Sequence, residues 1–347
     1  MEQIVRVLNE VTQPYRDMRI HFCRLEVAAL DGDRCALAGA VLDEDTLRRV
    51  IAGLSGRFPG IDFNGSRVRI LRAGAAHAVV AANLTGLYAD SSFLAEQVSQ
   101  LLNGWPVEVL LEEGRWRFVR LADGYLGWAY GPYLAVTTAP APTHIVCEPV
   151  SLVRMAPSIE ALPINRILGG TAVEAEVQGA WAQVTLVGDP AAPLRPGLVG
   201  WVPTAELRSL AELPADAAGR RAQMIADAVR FTGVPYLWGG CSAFGIDCSG
   251  YAQLLHRLAG VTIPRDADQQ FDAGRPVEYP YRPGDLLFFG EGEDEARKIT
   301  HVAVSLGGWR IIHSSRSRNG VQEDDVQAVE HLRESFVGAR TFVADGR

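Results

Sequence analysis

The sequence predicts a multidomain protein with a small α/β module at the N-terminus, two all-β barrels, and an α+β domain at the C-terminus. The first observation behind this prediction is length, because 347 residues correspond to two or three domains at about 150 residues per domain. The second is a strand pattern rich in glycine and tryptophan that occurs twice in the middle of the chain. The third is a C-terminal region in which a cysteine-bearing helix precedes strands that carry histidines.

Residues 1–72 have the pattern of a small α/β module. A strand is predicted over 35–41, and Asp43 with the acids that follow it opens a helix whose apolar residues share one face. An alternating strand follows over 66–71. In this pattern the segment resembles the BON-type domains of bacterial envelope proteins, which implies a scaffold or interaction role rather than chemistry.

Residues 73–140 and residues 141–210 share a sequence pattern. Each contains a glycine turn, a strand, a Gly-x-Trp step, a further strand and a closing Gly-Trp, which ends at Trp128 and Trp201. Such a repeat of short strands predicts two small barrels in tandem. Both resemble bacterial SH3-like domains, and packing in the core is the expected role of their tryptophans. A short, stiff linker is predicted over 139–143.

Residues 211–347 differ in character from both preceding regions. An amphipathic helix is predicted over 222–232, and a second helix begins after Asp247. Strands are predicted over 285–289, 302–306, 309–313 and 336–342. A helix followed by an antiparallel sheet gives an α+β plan.

Cys248 lies where a nucleophilic cysteine is expected. Asp247 is a predicted helix cap, so Cys248 falls in the first helical turn, where unpaired N–H groups and the helix dipole favour an anion. We expect the thiol pKa to fall there, and the same N–H groups could hold the oxyanion of a tetrahedral intermediate. The alternative is a buried structural cysteine. Glycines at 245 and 250 and the polar Ser249 favour the catalytic interpretation.

A nucleophilic thiol needs a base and a group that orients the base. His301 begins one predicted strand and His313 ends the next, with Gly307 and Gly308 between them. A two-residue loop would point the imidazoles to opposite sides, whereas a three-residue loop over 306–308 pairs His301 directly with His313. The sequence therefore predicts the three-residue register, with Gly308 in the left-handed conformation.

Several C-terminal segments, in the same order along the chain, resemble the NlpC-type cysteine peptidases. They are Pro-Tyr-Leu-Trp-Gly-Gly (235–240), Gly-Ile-Asp-Cys-Ser-Gly (245–250), Ile-Pro-Arg-Asp-Ala-Asp-Gln-Gln (263–270), Arg-Pro-Gly-Asp-Leu-Leu-Phe-Phe (282–289), Thr-His-Val-Ala (300–303) and Ile-Ile-His-Ser (311–314). The resemblance implies a papain-like fold that cleaves bacterial cell-wall peptides after γ-D-glutamate. It implies Cys248 as nucleophile, His301 as base and His313 as the orienting third member, with Tyr236 near the oxyanion position.

The tandem SH3-like segments narrow the resemblance to the YkfC-type branch, whose members are cytoplasmic dipeptidyl peptidases that recycle murein peptides. In that branch the first barrel closes one end of the cleft, and the enzyme recognises a free N-terminal L-alanine. By motif, the resemblance implies that Asp266 receives the substrate ammonium and that Tyr125 walls off the S2 pocket. Asp247 and Ser249 are also expected among the substrate-binding residues.

Two positions depart from the pattern of this branch. An acid of the first barrel that assists the ammonium in some relatives falls on Val98, and Glu96 or Asp90 is the candidate replacement. The residue after Asp266 is Ala267, where some relatives carry serine.

Composition excludes several classes of protein. The net charge is −8 and no basic cluster follows a phosphate backbone, so no nucleic-acid partner is expected. No apolar run approaches the ~18 residues of a membrane span. The start of the chain shows no signal segment, and its five cysteines are scattered, so we expect a cytoplasmic protein. The expected partner is a murein peptide; no cofactor is implied, and no protein partner is identified.

The sequence therefore predicts hydrolysis of the γ-D-glutamyl–diamino acid bond in free murein peptides of the L-Ala-γ-D-Glu-diaminopimelate type. Three alternatives stay open: a γ-D-glutamyl endopeptidase or amidase acting on intact peptidoglycan, an acyltransferase, and a non-catalytic wall-binding module. A metal site of Cys241, Cys248, His301 and His313 is a further alternative. Its Cys-x6-Cys spacing is wide for zinc, where about two to four residues separate such ligands.

Overall fold

The computed structural model describes residues 1–138, 140–188, 197–292 and 298–343. Contacts divide the chain into two compact units: unit 1 is Met1–His77 with Val107–Trp128, and unit 2 is Ala78–Pro106 with Ala129–Arg347. The predicted boundaries at 72, 140 and 210 differ from this division and stay a prediction. The predicted linker begins at residue 139, which lies outside the described residues.

The N-terminal part of unit 1 is a small α/β module, as predicted. Its elements are α1 (Glu2–Val11), β1 (Cys23–Asp31), β2 (Arg34–Val41), α2 (Glu44–Arg57) and β3 (Asp62–Ile70). Strand β2 is antiparallel to β1 and parallel to β3, and α2 is the crossover that a parallel pair requires. Asp43 begins α2 by accepting a hydrogen bond from the Thr46 N–H at 2.9 Å. Leu37, Val50 and Leu54 are fully buried in the core of this module.

The region predicted as the first barrel, residues 73–140, contains a series of short strands. They are β4 (Ala76–Val80), β5 (Leu84–Tyr88), β6 (Gln97–Leu102), β7 (Pro106–Glu113), β8 (Trp116–Leu121), β9 (Leu126–Tyr130) and β10 (Leu134–Ala135). Within unit 1, β7 and β8 form an antiparallel hairpin, and Leu110 and Phe118 pack with Phe22. Within unit 2, β5 pairs antiparallel with β6. The predicted packing role of Trp128 is confirmed, because its ring centroid lies 5.3 Å from that of Phe118.

The second predicted barrel is an all-β structure within unit 2. Its strands are β11 (His144–Val146), β12 (Val150–Arg154), β13 (Pro163–Leu168), β14 (Ala172–Gln178), β15 (Trp181–Leu186), β16 (Leu198–Pro203) and β17 (Leu207–Ser209). They are ordered β13-β12-β16-β15-β14-β11-β17 in one sheet. Val153, Val184 and Val202 are fully buried at its centre.

The C-terminal part of unit 2 has the predicted α+β plan. Its elements are α3 (Ala217–Ala228), β18 (Cys241–Ser242), β19 (Gly245–Ile246), α4 (Cys248–Leu258), α5 (Ala267–Ala273), β20 (Arg275–Val277), β21 (Leu286–Glu291), β22 (Lys298–Gly307), β23 (Arg310–Ser315), β24 (Gly320–Asp325), α6 (Glu330–Ser335) and β25 (Phe336–Thr341). The sheet order is β20-β25-β21-β22-β23-β24, and α4 packs on β22 and β23. Leu255, Phe288 and Val302 are fully buried between them.

The hairpin that carries the two histidines differs from the predicted register. The structure pairs Ser305 with Ile311 and Val304 with Ile312, and one step further along this register Ala303 lies opposite His313. The predicted direct pairing of His301 with His313 is therefore wrong. His301 lies diagonally to His313, and both still share a face because residues two apart on a strand point the same way.

An extra residue in β22 is the physical reason for this difference. Gly307 pairs with Arg310 across a turn of two residues, and the register then shifts between Gly307 and Ser305, so that Leu306 is the additional residue. A two-residue turn alone would separate the imidazoles, and the bulge returns them to one face. Gly308 has a φ of +60°, the left-handed conformation that the sequence predicts.

Among the helices in the described part of the chain, none combines the length and the apolar character needed to cross a membrane.

Candidate active site

The N-terminus of α4 positions Cys248. Asp247 is the helix cap, as predicted, and its Oδ1 accepts a hydrogen bond from the Gly250 N–H at 2.6 Å. Its Oδ2 accepts from the Gly239 N–H at 2.9 Å. Cys248 is therefore held as the first residue of α4 between two glycine segments, and its side chain is buried.

A buried arginine completes this arrangement. Arg265 donates to both carboxylate oxygens of Asp247, with its Nη2 at 2.7 Å and its Nη1 at 3.0 Å. It also donates to the Ser249 Oγ at 2.9 Å, the Gly240 carbonyl at 3.3 Å and the Ser99 Oγ at 3.1 Å. We call these five residues the Arg265 network. Because Asp247 and Ser249 are buried within it, their role here is to fix the start of α4, and their predicted contact with substrate stays a prediction.

The glycine loop before α4 is fixed by the segment around strand β6. Gly239 has a φ of +71°, and a Cβ there would lie 2.2 Å from the Gln97 carbonyl oxygen, so only glycine fits. The Trp238 indole N–H donates to the Glu96 carboxylate at 2.6 Å. Glu96, a predicted replacement for the acid at Val98, thus lies beside the loop that leads to Cys248. Its role toward a substrate ammonium stays a prediction.

The two histidines form a hydrogen-bonded pair. The Nε2 of His301 lies 2.7 Å from the Nδ1 of His313, and the rings meet edge to face with centroids 4.9 Å apart. The Nε2 of His313 lies 3.1 Å from the Oδ2 of Asp324, whose Oδ1 accepts from Arg318 at 2.8 Å. Sequence reasoning missed Asp324 and Arg318. The signal was the position of Asp324 in β24, two residues beyond Gln322, which pairs with His313.

Cys248 lies beside the strand that carries His301. The backbone N–H of Val302, the residue after His301, donates to the Cys248 sulfur, as does the N–H of Ser249. Burial raises the pKa of the Cys248 thiol to about 12, and the Asp247 carboxylate adds to this rise. The predicted lowering of the thiol pKa by the helix N-terminus is therefore wrong for the substrate-free site, because loss of hydration outweighs the helix dipole.

Burial also determines the charge of the histidines. It lowers the pKa of His301 to about 3, and the neighbouring His313 and His331 contribute to this lowering. The pKa of His313 is lowered by burial as well, although the Asp324 carboxylate acts in the opposite direction. Burial thus disfavours the charged form of the thiol and of both imidazoles in the substrate-free site.

Tyr236 lies near Cys248, in the segment that precedes the glycine loop. It forms a β-bridge with Ile246, two residues before Cys248. Burial raises the pKa of its phenol, and the nearby Cys248 and Asp247 raise it further. The phenol is therefore a neutral hydrogen-bond donor, the property that a residue near a developing oxyanion needs.

The remaining predicted residues lie in different parts of the fold. Asp266 is the residue before α5, and its carboxylate lies 4.0 Å from the Nη1 of Arg265 and is partly exposed. Tyr125 belongs to unit 1, where its side chain is buried, and its role at the S2 pocket stays a prediction. The Cys241 thiol is buried and donates to the Gln100 carbonyl at 3.4 Å. Among the described residues, no group of three or more His, Cys, Asp or Glu could hold a metal ion.

Two family models match the chain. Residues 233–344 match the NlpC/P60 family, and residues 87–129 match the bacterial dipeptidyl-peptidase Sh3 domain. The segment 233–344 is therefore an NlpC/P60 cysteine peptidase domain, and it is accompanied by a bacterial SH3 domain. The segment contains all three residues of the expected Cys-His-His set.

Similar proteins point in the same direction. A γ-D-glutamyl-L-lysine dipeptidyl-peptidase of Bacillus cereus is 34% identical over 137 residues, which is 39% of this chain and 40% of that relative. Dipeptidyl-peptidase 6 of Lysinibacillus sphaericus is 28% identical over 262 residues, 71% of this chain and 90% of its own. The chain thus spans less than half the length of the first of these relatives. Relatives of the first name support the YkfC-like branch.

The chain is also similar to a solved structure and to a protein named as an endopeptidase. A crystal structure of an NlpC/P60 family protein from Bacillus cereus covers 78% of this chain and 100% of its own, with a TM-score of 0.66. At 22% identity, this likeness concerns the fold alone. The bifunctional muramidase/DL-endopeptidase CwlT of Bacillus subtilis is 39% identical over 104 residues, 29% of this chain.

Removal of the Arg265 guanidinium is expected to destabilise unit 2. Arg265→Met leaves the buried Asp247 carboxylate without its cation, which costs about 3–5 kcal/mol of unfolding free energy. Arg310→Met is the matched control, since it breaks an exposed pair with Glu323 that is worth about 0–1 kcal/mol. Urea unfolding followed by circular dichroism measures both. An Arg265→Met variant as stable as the control would contradict the structural role of the Arg265 network.

Stability is expected to fall as the pH drops below about 6.5. Burial lowers the pKa of His301 to about 3 and that of His256 to about 4, whereas both titrate near 6.5 in the unfolded chain. Below pH 6.5 the unfolded chain therefore binds protons that the folded chain excludes, and each histidine costs up to about 1.4 kcal/mol per pH unit. Their contribution is fully present above pH 6.5.

Urea midpoints between pH 7.5 and 5 test this dependence. His301→Gln removes one of the buried histidines and should flatten the slope, whereas His77→Gln, which alters an exposed histidine, should keep the wild-type slope. Equal slopes for the wild type and His301→Gln would show that His301 is not held neutral by burial.

Proposed function

We propose that the protein hydrolyses the γ-D-glutamyl–diamino acid bond of free murein peptides and releases L-Ala-γ-D-Glu, a step of cell-wall recycling. The observation that carries the proposal is the position of Cys248 at the start of α4, beside the strand that holds the bonded His301–His313 pair. This is the arrangement of nucleophile, base and orienting group that thiol acylation requires. A cytoplasmic location, where only small recycled peptides are present, belongs to the same proposal.

The proposed reaction proceeds through a thioester. His301 accepts the Cys248 proton as the sulfur attacks the γ-carbonyl carbon. The tetrahedral oxyanion is stabilised by the backbone N–H of Cys248 at the start of α4 and by the Tyr236 phenol. His301 then protonates the amine of the diamino acid as the C–N bond breaks, and water hydrolyses the thioester.

Recognition of a free N-terminal amine is assigned to Asp266. Its carboxylate lies at the start of α5, 4.0 Å from the Nη1 of Arg265, and it is partly exposed, so a ligand can reach it. An ammonium group pairs with this carboxylate, whereas an acetylated or extended N-terminus removes water from it without supplying a positive charge. Glu96 is the further residue proposed for this end of the substrate.

A second candidate function is a γ-D-glutamyl endopeptidase or amidase that acts on intact peptidoglycan. The similarity of the C-terminal domain to CwlT, named as a DL-endopeptidase, favours this candidate. The complete Cys-His-His set argues against a non-catalytic wall-binding module. For the N-terminal module we propose a BON-like scaffold role.

Product analysis separates these candidates. The wild type and Cys248→Ala are incubated with L-Ala-γ-D-Glu-diaminopimelate and with its N-acetylated form, and the products are identified by mass spectrometry. We expect release of L-Ala-γ-D-Glu from the free peptide only, and no turnover by Cys248→Ala, because no other group supplies the nucleophile.

Three outcomes would change the assignment. Cleavage of both peptides would favour the endopeptidase, and cleavage of neither would overturn the peptidase proposal. Turnover by Cys248→Ala near the wild-type rate, with an unchanged circular dichroism spectrum, would refute the assignment of the nucleophile.

Loss of the Asp266 charge is expected to weaken binding of free-amine peptides. Asp266→Asn should raise KM for the free peptide about 10–100-fold, the loss expected for a hydrogen bond to a charged group, with little change in kcat. Asp272→Asn, which alters an exposed acid on the same helix α5, is the control and should keep the wild-type KM. A KM of Asp266→Asn equal to that of the control would remove Asp266 from amine recognition.

A further inference from the structure

The two imidazoles belong to a longer chain of hydrogen bonds that ends on an acid and an arginine outside the predicted site residues. His301, His313, Asp324 and Arg318 are joined in this order at 2.7, 3.1 and 2.8 Å. We propose that Asp324, held in place by Arg318, is a positioning residue that determines which nitrogen of each imidazole carries the proton. The inference deepens the proposed function and rests on it for the identity of His301 as the base.

The direction of each hydrogen bond follows from the carboxylate. A carboxylate oxygen only accepts, so the Nε2 of His313 carries the proton that is donated to Asp324. A neutral imidazole has one N–H, so the Nδ1 of His313 is an acceptor and the Nε2 of His301 must donate to it. The Nδ1 of His301 is therefore left with its lone pair. This nitrogen is the one available to take a proton from Cys248.

Arg318 determines which way the carboxylate faces. Its Nη2 donates to the Oδ1 of Asp324, so that the Oδ2 is directed at His313. The Asp324 side chain is almost fully buried, with 9% of its surface exposed, whereas that of Arg318 is 47% exposed. The charged groups that act on His313 are Asp324 and Arg318 from the β23–β24 hairpin and His331 from α6, and His331 also acts on His301.

Asp324→Asn provides a test that separates proton placement from packing. The asparagine amide has the same shape, and Arg318 requires an oxygen acceptor, so the amide oxygen faces Arg318 and the NH2 group faces His313. His313 must then accept at Nε2 and donate from Nδ1, which forces His301 to accept at Nε2 and to carry its proton on Nδ1. In this tautomer His301 cannot accept the Cys248 proton.

Removal of Arg318 should reverse this effect. In the double variant Asp324→Asn with Arg318→Met, the amide is free to rotate, and its oxygen can again accept from His313. We therefore expect Asp324→Asn to lower kcat on the order of 10³-fold with little change in KM, and the double variant to recover at least about 10-fold of that loss. A purely structural role would make the double variant worse than the single one.

The experiment uses the full chain and two readouts. One is kcat and KM for L-Ala-γ-D-Glu-diaminopimelate; the other is the rate of Cys248 alkylation by iodoacetamide between pH 6 and 10, which needs no peptide. Asp324→Asn should shift alkylation to higher pH, and the double variant should shift it back. Glu323→Gln, which alters the adjacent exposed acid paired with Arg310, is the matched control and should match the wild type. Asp324→Glu retains an acceptor and should remain more active than Asp324→Asn.

The outcomes distinguish this inference from the proposed function. Wild-type behaviour of Asp324→Asn in both readouts, or a double variant no better than Asp324→Asn, would overturn the positioning role. If Asp324→Asn does not fold, Asp324→Glu carries the test, and an alkylation profile as altered as that of a His313→Phe variant would overturn it. If the wild type hydrolyses no peptide and Asp324→Asn still shifts alkylation, the proposed function fails and the positioning role stands.

Discussion

The buried ion pair between Arg265 and Asp247 is the interaction on which the candidate site depends. Asp247 alone caps α4 and accepts from the glycine loop, and Arg265 ties it to Ser249 and to Ser99 of β6. Burying two charges lowers the stability of the fold unless their hydrogen bonds are satisfied. Here both carboxylate oxygens of Asp247 accept hydrogen bonds. The bonded pair fixes the start of α4, and it thereby fixes the position of Cys248, the first residue of that helix.

The sheet of the C-terminal domain carries the rest of the candidate site, and the register of its strands positions the two histidines. Strands β22 and β23 carry one histidine each, and a single extra residue in β22 decides that the two imidazoles face the same way. The β23–β24 hairpin then adds Asp324 to the same row. A row of hydrogen bonds on one face of a rigid sheet gives fixed distances and a fixed direction of proton donation. Burial disfavours the charged forms of the thiol and of the imidazoles in this part of the fold.

Sequence reasoning reached the local features of this site and missed the long-range ones. The Asp247 cap and the placement of Cys248 follow from capping chemistry within four residues, and the left-handed Gly308 follows from turn chemistry. The contacts of Arg265 with Ser99, far away along the chain, have no local signal. The bulge at Leu306 could not be predicted from the sequence. The requirement that His301 and His313 share a face is met both by a three-residue turn and by a two-residue turn followed by a bulge, and nothing in the residues of the hairpin distinguishes the two. The thiol pKa was predicted in the wrong direction because burial is a property of the whole fold.

A common acyl intermediate on Cys248 is the central claim of this account, and partitioning with hydroxylamine tests it most directly. L-Ala-γ-D-Glu-diaminopimelate and L-Ala-γ-D-Glu-lysine are each incubated with the protein and hydroxylamine, and the ratio of L-Ala-γ-D-Glu hydroxamate to free L-Ala-γ-D-Glu is measured for each. A thioester formed after the diamino acid has left predicts the same ratio for both peptides and no product of either kind from Cys248→Ala. A ratio that depends on the leaving diamino acid, or hydrolysis without any hydroxamate, would contradict attack by Cys248.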